Sequence, residues 1–140
     1  MSLALLCPGQ GAQHAAMFER VRDLPAAHNV LEAASAVLGR DVFAAAADES
    51  RFGNALAQPL LCAASLAHWQ GLREAVPAPV LVAGYSIGEL AAHVVAGSVD
   101  ASTCLSPGRA ARAADGCRQP CRCRHAGRAG AGAPYPAAAV

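Results

Sequence analysis

The chain contains no lysine; all eleven of its basic residues are arginines. That absence removes the phosphate-loop signature, whose lysine reaches the nucleotide phosphates, and a full G-x-G-x-x-G is missing too. Aromatic residues make up only 4% of the chain. The arginines therefore have no interleaved stacking platforms, which argues against nucleic acid as a partner. No apolar run is as long as a membrane span. The start, MSLALLCPGQG, has neither a charged leader nor a signal-cleavage pattern, so the expectation is a cytoplasmic protein with no membrane partner.

What the chain does have is an apolar fraction of 54%, much of it alanine. Its 140 residues are enough for one modest domain with a thin core. The net charge of +1 conceals a division. Residues 1–100 hold nine acids against five arginines, and residues 101–140 hold one acid, Asp115, against six arginines. Only the tail is basic.

Leu3 to Cys7 is a short apolar run that reads as a buried strand, closed by Pro8 and the loop PGQGAQ. A short helix is expected from Gln13 to Arg22. A second, opened by Pro25 and closed at Gly39, carries Val30, Leu31, Ala34, Val37 and Leu38 on one face. Asp41 is a candidate cap for a helical turn through Ala47. Pro59 is expected to open a long apolar helix reaching about Val76. Val80 to Ala83 reads as a second buried strand. A helix starting at Ser86 or Ile87 and running to about Ala96 follows, then one more capped by Asp100. Strands separated by helices indicate an α/β fold with a parallel sheet, the helices serving as crossovers. Two strands are few for a complete sheet.

From residue 105 to 140 the only bulky apolar side chains are Leu105, Tyr135 and Val140, among glycine, proline and arginine. Such a segment cannot offset its ordering entropy by burial, so disorder is expected. It reads as a low-complexity tail or a shifted reading frame. The division is thus residues 1–104 as a folded unit and 105–140 as tail. Four of the six cysteines lie at or beyond Cys104, whereas Cys7 and Cys62 sit in apolar surroundings as buried thiols. Cys117, Cys121, Cys123 and His125 offer four potential zinc ligands, but in a crowded C-x3-C-x-C-x-H spacing. No metal site is expected.

Gly84-Tyr85-Ser86-Ile87-Gly88 fits the G-x-S-x-G nucleophile elbow, with a strand entering the serine and a helix leaving it. Such a corner thrusts the hydroxyl out of the sheet edge, toward free N–H groups at the helix start. Those groups can stabilise the oxyanion formed when a carbonyl is attacked. A serine that merely caps the helix is the plainer alternative. The glycines around Gln10 allow a backbone N–H to approach a ligand, or form an ordinary strand-to-helix turn.

PGQGAQ near the start, AQPLLCAASLAHW in the middle and GYSIGELAAHVVAGSVD together resemble the malonyl-CoA:acyl carrier protein transacylase family over roughly residues 1–104. The resemblance implies part of an α/β-hydrolase-like parallel sheet with flanking helices. It implies transfer of a malonyl group from coenzyme A to acyl carrier protein through an acyl-serine, for fatty acid or polyketide synthesis, with no metal or organic cofactor. Ser86 then resembles the catalytic nucleophile, and the backbone amides of Gln10 and Ile87 the oxyanion hole. Gln58 resembles a substrate-binding glutamine near the site, and Glu89 a supporting acid. Tyr85 stands where most members carry histidine.

By the same resemblance, the family's catalytic histidine would fall past Val140. Its carboxylate-binding arginine would fall at Ala111, between Arg109 and Arg112. His93 lies two helical turns beyond Ser86, about 10 Å by helical rise, too far for a direct bond. His68 is the other histidine with a path toward the corner. The expectation is a truncated chain holding the nucleophile half of the enzyme, with doubtful activity of its own. Two rival functions are a serine hydrolase such as a thioesterase on the same core, and a non-catalytic fragment that binds acyl carrier protein.

Overall fold

Alternating short apolar runs and amphipathic stretches produce two parallel strands with helices between and after them. The structure, a computed structural model, describes residues 2–106. Strand β1 is Leu3–Cys7 and strand β2 is Pro79–Gly84. They pair in parallel, with Ala4 opposite Leu81, Leu6 opposite Ala83 and Cys7 opposite Gly84. Between them run α1 (Pro25–Leu38), α2 (Val42–Ala47) and α3 (Asn54–Leu72), and after them α4 (Gly88–Val95) and α5 (Ala101–Leu105). The expected α/β class and parallel pairing are therefore observed, with these two strands the sheet of the described residues.

Helix α1 follows its local signals closely. Pro25 occupies the first turn, where a missing N–H costs nothing, and the helix ends at Gly39 with a left-handed φ of 66°. In α2, Asp41 accepts a hydrogen bond from the Ala44 amide, which satisfies one of the free donors at that end. Strand β2 extends one residue further at each end than the expected Val80–Ala83.

Three expectations differ from the structure. The two strands read as buried are not: Cys7 alone is buried in them among the described residues, and Leu6, Val80 and Leu81 are more than half exposed, because the helices pack on one side of the sheet. The segment before Arg22 is not an α-helix; it is a chain of tight turns ending in a 3-10 turn, Glu19–Val21. Its amides bond three residues back, Met17 to His14, Glu19 to Ala16 and Val21 to Phe18. That winding sends Met17, Phe18 and Val21 into the core, with the Phe18 ring edge-on to Phe43. Burial of these three side chains outweighs helix propensity.

The long helix starts earlier than its proline. Asn54 is its first residue and Pro59 lies inside it, fully buried. An interior proline removes one backbone donor. Here its ring fills space on the buried side beside Leu60, which supplies compensating contact. The helix closes at Leu72 rather than Val76, with Arg73 as its cap.

Small side chains let the helices approach one another. Ala27 and Ala34 on α1, with Ala57, Ala63 and Ala67 on α3, are all buried among Val30, Leu31, Leu60 and Leu66. Helix α4 lies on the sheet and also touches α3 and α5. Cys104 and Leu105 of α5 are buried as well, so the packed unit continues to the end of that helix. No described helix is long and apolar enough to cross a membrane. The expected tail disorder, the possible zinc ligands Cys117, Cys121, Cys123 and His125, and the arginines Arg109 and Arg112 lie outside the described residues.

Candidate active site

The carboxyl end of β2 turns directly into α4, and Ser86 sits in the turn. Its φ is 54°, the only positive value at a non-glycine residue among those described. A side chain in the left-handed region costs about 1–2 kcal/mol, so the surroundings must enforce it. The enforcing contacts are on both sides. The Tyr85 amide donates to the Cys7 carbonyl at 3.2 Å, tying the corner to the end of β1. The amides of Gly88 and Glu89 donate back to the carbonyls of Tyr85 and Ser86 at 3.0 Å each.

The flanking glycines are required by close approach. A Cβ on Gly84 would collide with the backbone of Gly88 and Glu89. One on Gly88 would run into the carbonyl of Cys7 and lie 2.6 Å from that of Pro8. The G-x-S-x-G spacing thus lets strand and helix meet at a sharp angle. Ser86 itself is exposed, and Tyr85 beside it is 77% exposed.

The PGQGAQ loop reaches the same place. A Cβ on Gly9 would lie 2.8 Å from the Tyr85 ring and carbonyl, and 3.5 Å from the Ser86 Cβ. The turn is held from within, because the Gly11 amide donates to the Gln13 side-chain oxygen at 2.6 Å. Gln13 is itself buried. It is also held from outside, because Gln10 Nε2 donates to Asn54 Oδ1 at 3.0 Å. Asn54 starts α3, and Gln58 stands one turn further along that helix. The turn that carries Gln10 therefore packs through Gly9 against the corner that carries Ser86 and Ile87, at the carboxyl end of the sheet. Gln58 is linked to the turn through Asn54.

Among the described residues no hydrogen bond occupies the Ile87 or Gln10 amide. Ile87 caps α4 at its amino end, where the helix dipole favours negative charge. An exposed serine at the amino end of a helix, with a glycine-containing turn packed against it, is a candidate for chemistry on an acyl carbonyl.

Three of the four histidines among the described residues have other neighbours. His68 Nδ1 faces the Ala64 carbonyl of its own helix at 2.8 Å. His28 Nε2 pairs with Glu32 at 3.1 Å on the outer side of α1. His93 is five residues into α4 and borders a groove along β2. The nearby cysteines do not compete with the serine. Cys7, Cys62 and Cys104 are buried free thiols. Burial, then the proximity of Cys62, pushes the Cys7 thiol up. Cys104 is raised first by its hydrogen bond with Cys62 and then by burial. Such thiols stay protonated and unreactive.

Sequence reasoning assigned no role to Asn54 or Gln13. Asn54 was hidden because its partner is distant in the chain. Gln13 lies within the PGQGAQ motif, and a glutamine two residues after a glycine turn was the available signal.

A serine held in left-handed backbone between a parallel strand and a helix marks the corner of an α/β fold. Comparison with known proteins narrows this. No family model matches the chain. The chain is 38% identical over 123 residues to a malonyl CoA-acyl carrier protein transacylase of Mycobacterium bovis, covering 82% of this chain and 41% of that protein. The acyl-carrier-protein S-malonyltransferase of Burkholderia pseudomallei superposes with a TM-score of 0.69 at 31% identity, over 75% of this chain and 36% of that one. A malonyl-transacylase solved in complex with its type II polyketide synthase acyl carrier protein superposes with a TM-score of 0.67 at 34% identity, over 75% of this chain and 36% of that one. Over most of its length the chain is thus similar to malonyl-CoA:acyl carrier protein transacylases, and it spans about two fifths of the length of the curated relative from Mycobacterium bovis.

Proposed function

We propose that this chain carries the nucleophile half of a malonyl transfer from coenzyme A to acyl carrier protein. The observation that carries the proposal is the exposed Ser86, held at φ 54° against the Gly9–Gln10 turn. In the reaction, Ser86 Oγ attacks the malonyl thioester carbonyl. The amides of Gln10 and Ile87 receive the developing oxyanion. The C–S bond then breaks, coenzyme A leaves as its thiol, and malonyl remains esterified to Ser86. The phosphopantetheine thiol of acyl carrier protein takes the acyl group in a second, equivalent displacement. Gln58, one turn beyond the Asn54 that holds Gln10, lines the substrate side. The chemistry calls for no metal or organic cofactor, and its setting is fatty acid or polyketide synthesis in the cytoplasm.

A serine hydroxyl needs a base, and His28 and His68 are engaged elsewhere. Residues 1–140 alone should therefore acylate slowly, by about 10²–10⁴ relative to a member with its base in place. Incubation with radiolabelled malonyl-CoA and peptide mapping tests this. Slow label confined to Ser86, and lost in Ser86→Ala, supports the reading. Label that survives Ser86→Ala, or none even with the complementary part of the fold supplied, overturns it.

The same engagement of the histidines favours a second reading, in which the chain binds acyl carrier protein without catalysis. Capture of acyl carrier protein that survives Ser86→Ala, with no label on the serine, selects it. If labelled Ser86 releases its acyl group to water in preference to acyl carrier protein, the hydrolase reading holds instead.

A further inference from the structure

Gln10 stands between Gly9 and Gly11 in the turn after β1. Glycines on both sides give its peptide groups more freedom than other residues would allow. Gly11 uses that freedom, with a φ of 120°. A backbone donor in such a turn needs an outside hold on its direction, because an oxyanion site acts through donors that are aimed before the reaction begins. Gly9 is pressed against the Ser86 corner, where a Cβ would lie 2.8 Å from the Tyr85 carbonyl. Two side-chain bonds complete the hold.

The first is internal. Gln13 is buried, and its Oε1 accepts from the Gly11 amide at 2.6 Å. The second joins residues 44 apart in the chain: Gln10 Nε2 donates to Asn54 Oδ1 at 3.0 Å, on the exposed side. Asn54 is a firm post. It is the first residue of α3, and Ala57, Pro59, Leu60 and Leu61 just beyond it are buried. The helix itself makes no use of its carboxamide at the amino end, where Gly53 is the cap and there is no side-chain capping bond. The Asn54 side chain thus serves the turn after β1.

We infer that Asn54 is a positioning residue for acyl transfer at Ser86: by holding the Gln10 carboxamide, it fixes the direction of the Gln10 backbone amide. The inference rests on the acyl-transfer reading, which assigns the oxyanion to that amide. The carbonyl oxygen carries more negative charge in the transition state than in bound malonyl-CoA. Loss of the post therefore lowers the maximal rate and leaves substrate affinity nearly as it was. The bond is exposed and joins neutral groups, so the factor is modest.

The test follows the rate at which radiolabelled malonyl-CoA, over a range of concentrations, labels Ser86 in the full 140-residue chain. Asn54→Ala should lower the maximal rate about fivefold and change the half-saturating concentration by less than about twofold. Alanine is a good helix former and position 54 is exposed, so the urea midpoint should not move. Gln10→Ala removes the other end of the bond, keeps the backbone amide and should lower the rate by the same factor. The double variant should be no slower than either single one, a coupling that a general effect of Asn54 on α3 would not produce. With label still reaching Ser86, the inference is overturned by an unchanged rate in Asn54→Ala, by a loss seen only as weaker saturation, or by losses that multiply in the double variant. A Ser86 that takes no label in the unchanged chain, alone or with the complementary part of the fold supplied, sinks the acyl-transfer reading itself and this inference with it.

Discussion

The helical layer and the sheet of this molecule are built from similar apolar residues but meet opposite fates. Between α1 and α3, alanines and leucines are sealed from water, with Leu60 at zero exposure. On the outer face of the sheet, the leucines of β1 and β2 stand in solvent. The difference lies in reach. Amphipathic helices close in sequence can cover one another, whereas a parallel sheet needs cover from segments arriving on both sides. The corner at Ser86 lies where the two regions join, so it inherits rigidity from the first and exposure from the second.

The strongest way to break that junction is Gly88→Ala. Its new methyl meets two backbone carbonyls, of Cys7 and Pro8, which cannot swing aside. The expected loss is about 4 kcal/mol or more, read by urea denaturation. Leu60→Ala and Leu6→Ala sharpen the contrast between the regions directly. The buried site should lose about 3 kcal/mol through its cavity, while the exposed one should change by about 0.5 kcal/mol or less. Equal losses at the two sites would mean that the sheet face is covered in solution.

Ser86→Gly tests the stored strain. Glycine adopts a φ of 54° freely, so the variant should be more stable by about 1 kcal/mol and accept no acyl label. A loss of stability would show that the hydroxyl, not the backbone, holds the corner.

The smallest effect concerns pH at the turn after α2. Hydrogen bonds from the Ser50 hydroxyl and amide, and then from Arg40, hold the Asp48 carboxyl at about 2. A depressed folded value means that the stabilisation is complete above the ordinary aspartate range. It fades as the pH falls from about 4 toward 2. A carboxyl titration followed by NMR should place the Asp48 midpoint near the low end of that window. Ser50→Ala should move it upward.

Much of this architecture was legible because its signals are local. Pro25 and Gly39 bracket α1, Asp41 caps α2, and the apolar run before Gly84 declares a strand, though not a buried one. The glycine spacing around Ser86 announced a cramped corner, since only residues without a Cβ permit that contact. Less legible were the features that depend on distant partners. Pro59 looked like a helix opening, yet the helix begins at Asn54 because burial accommodates the proline inside it. Residues 13–22 carried helix-compatible residues, but drawing Met17, Phe18 and Val21 into one core required tighter turns.

The amino-acid order by itself determined most of the element types, the parallel pairing and the place of the bend, because backbone sterics and side-chain periodicity act over a few residues. Only the folded chain decided that Gln10 is moored to Asn54, that His28 and His68 are turned to other partners, and that the described residues cover only one side of the sheet. Those outcomes depend on which distant surfaces fit together, a matter of packing that no local pattern encodes.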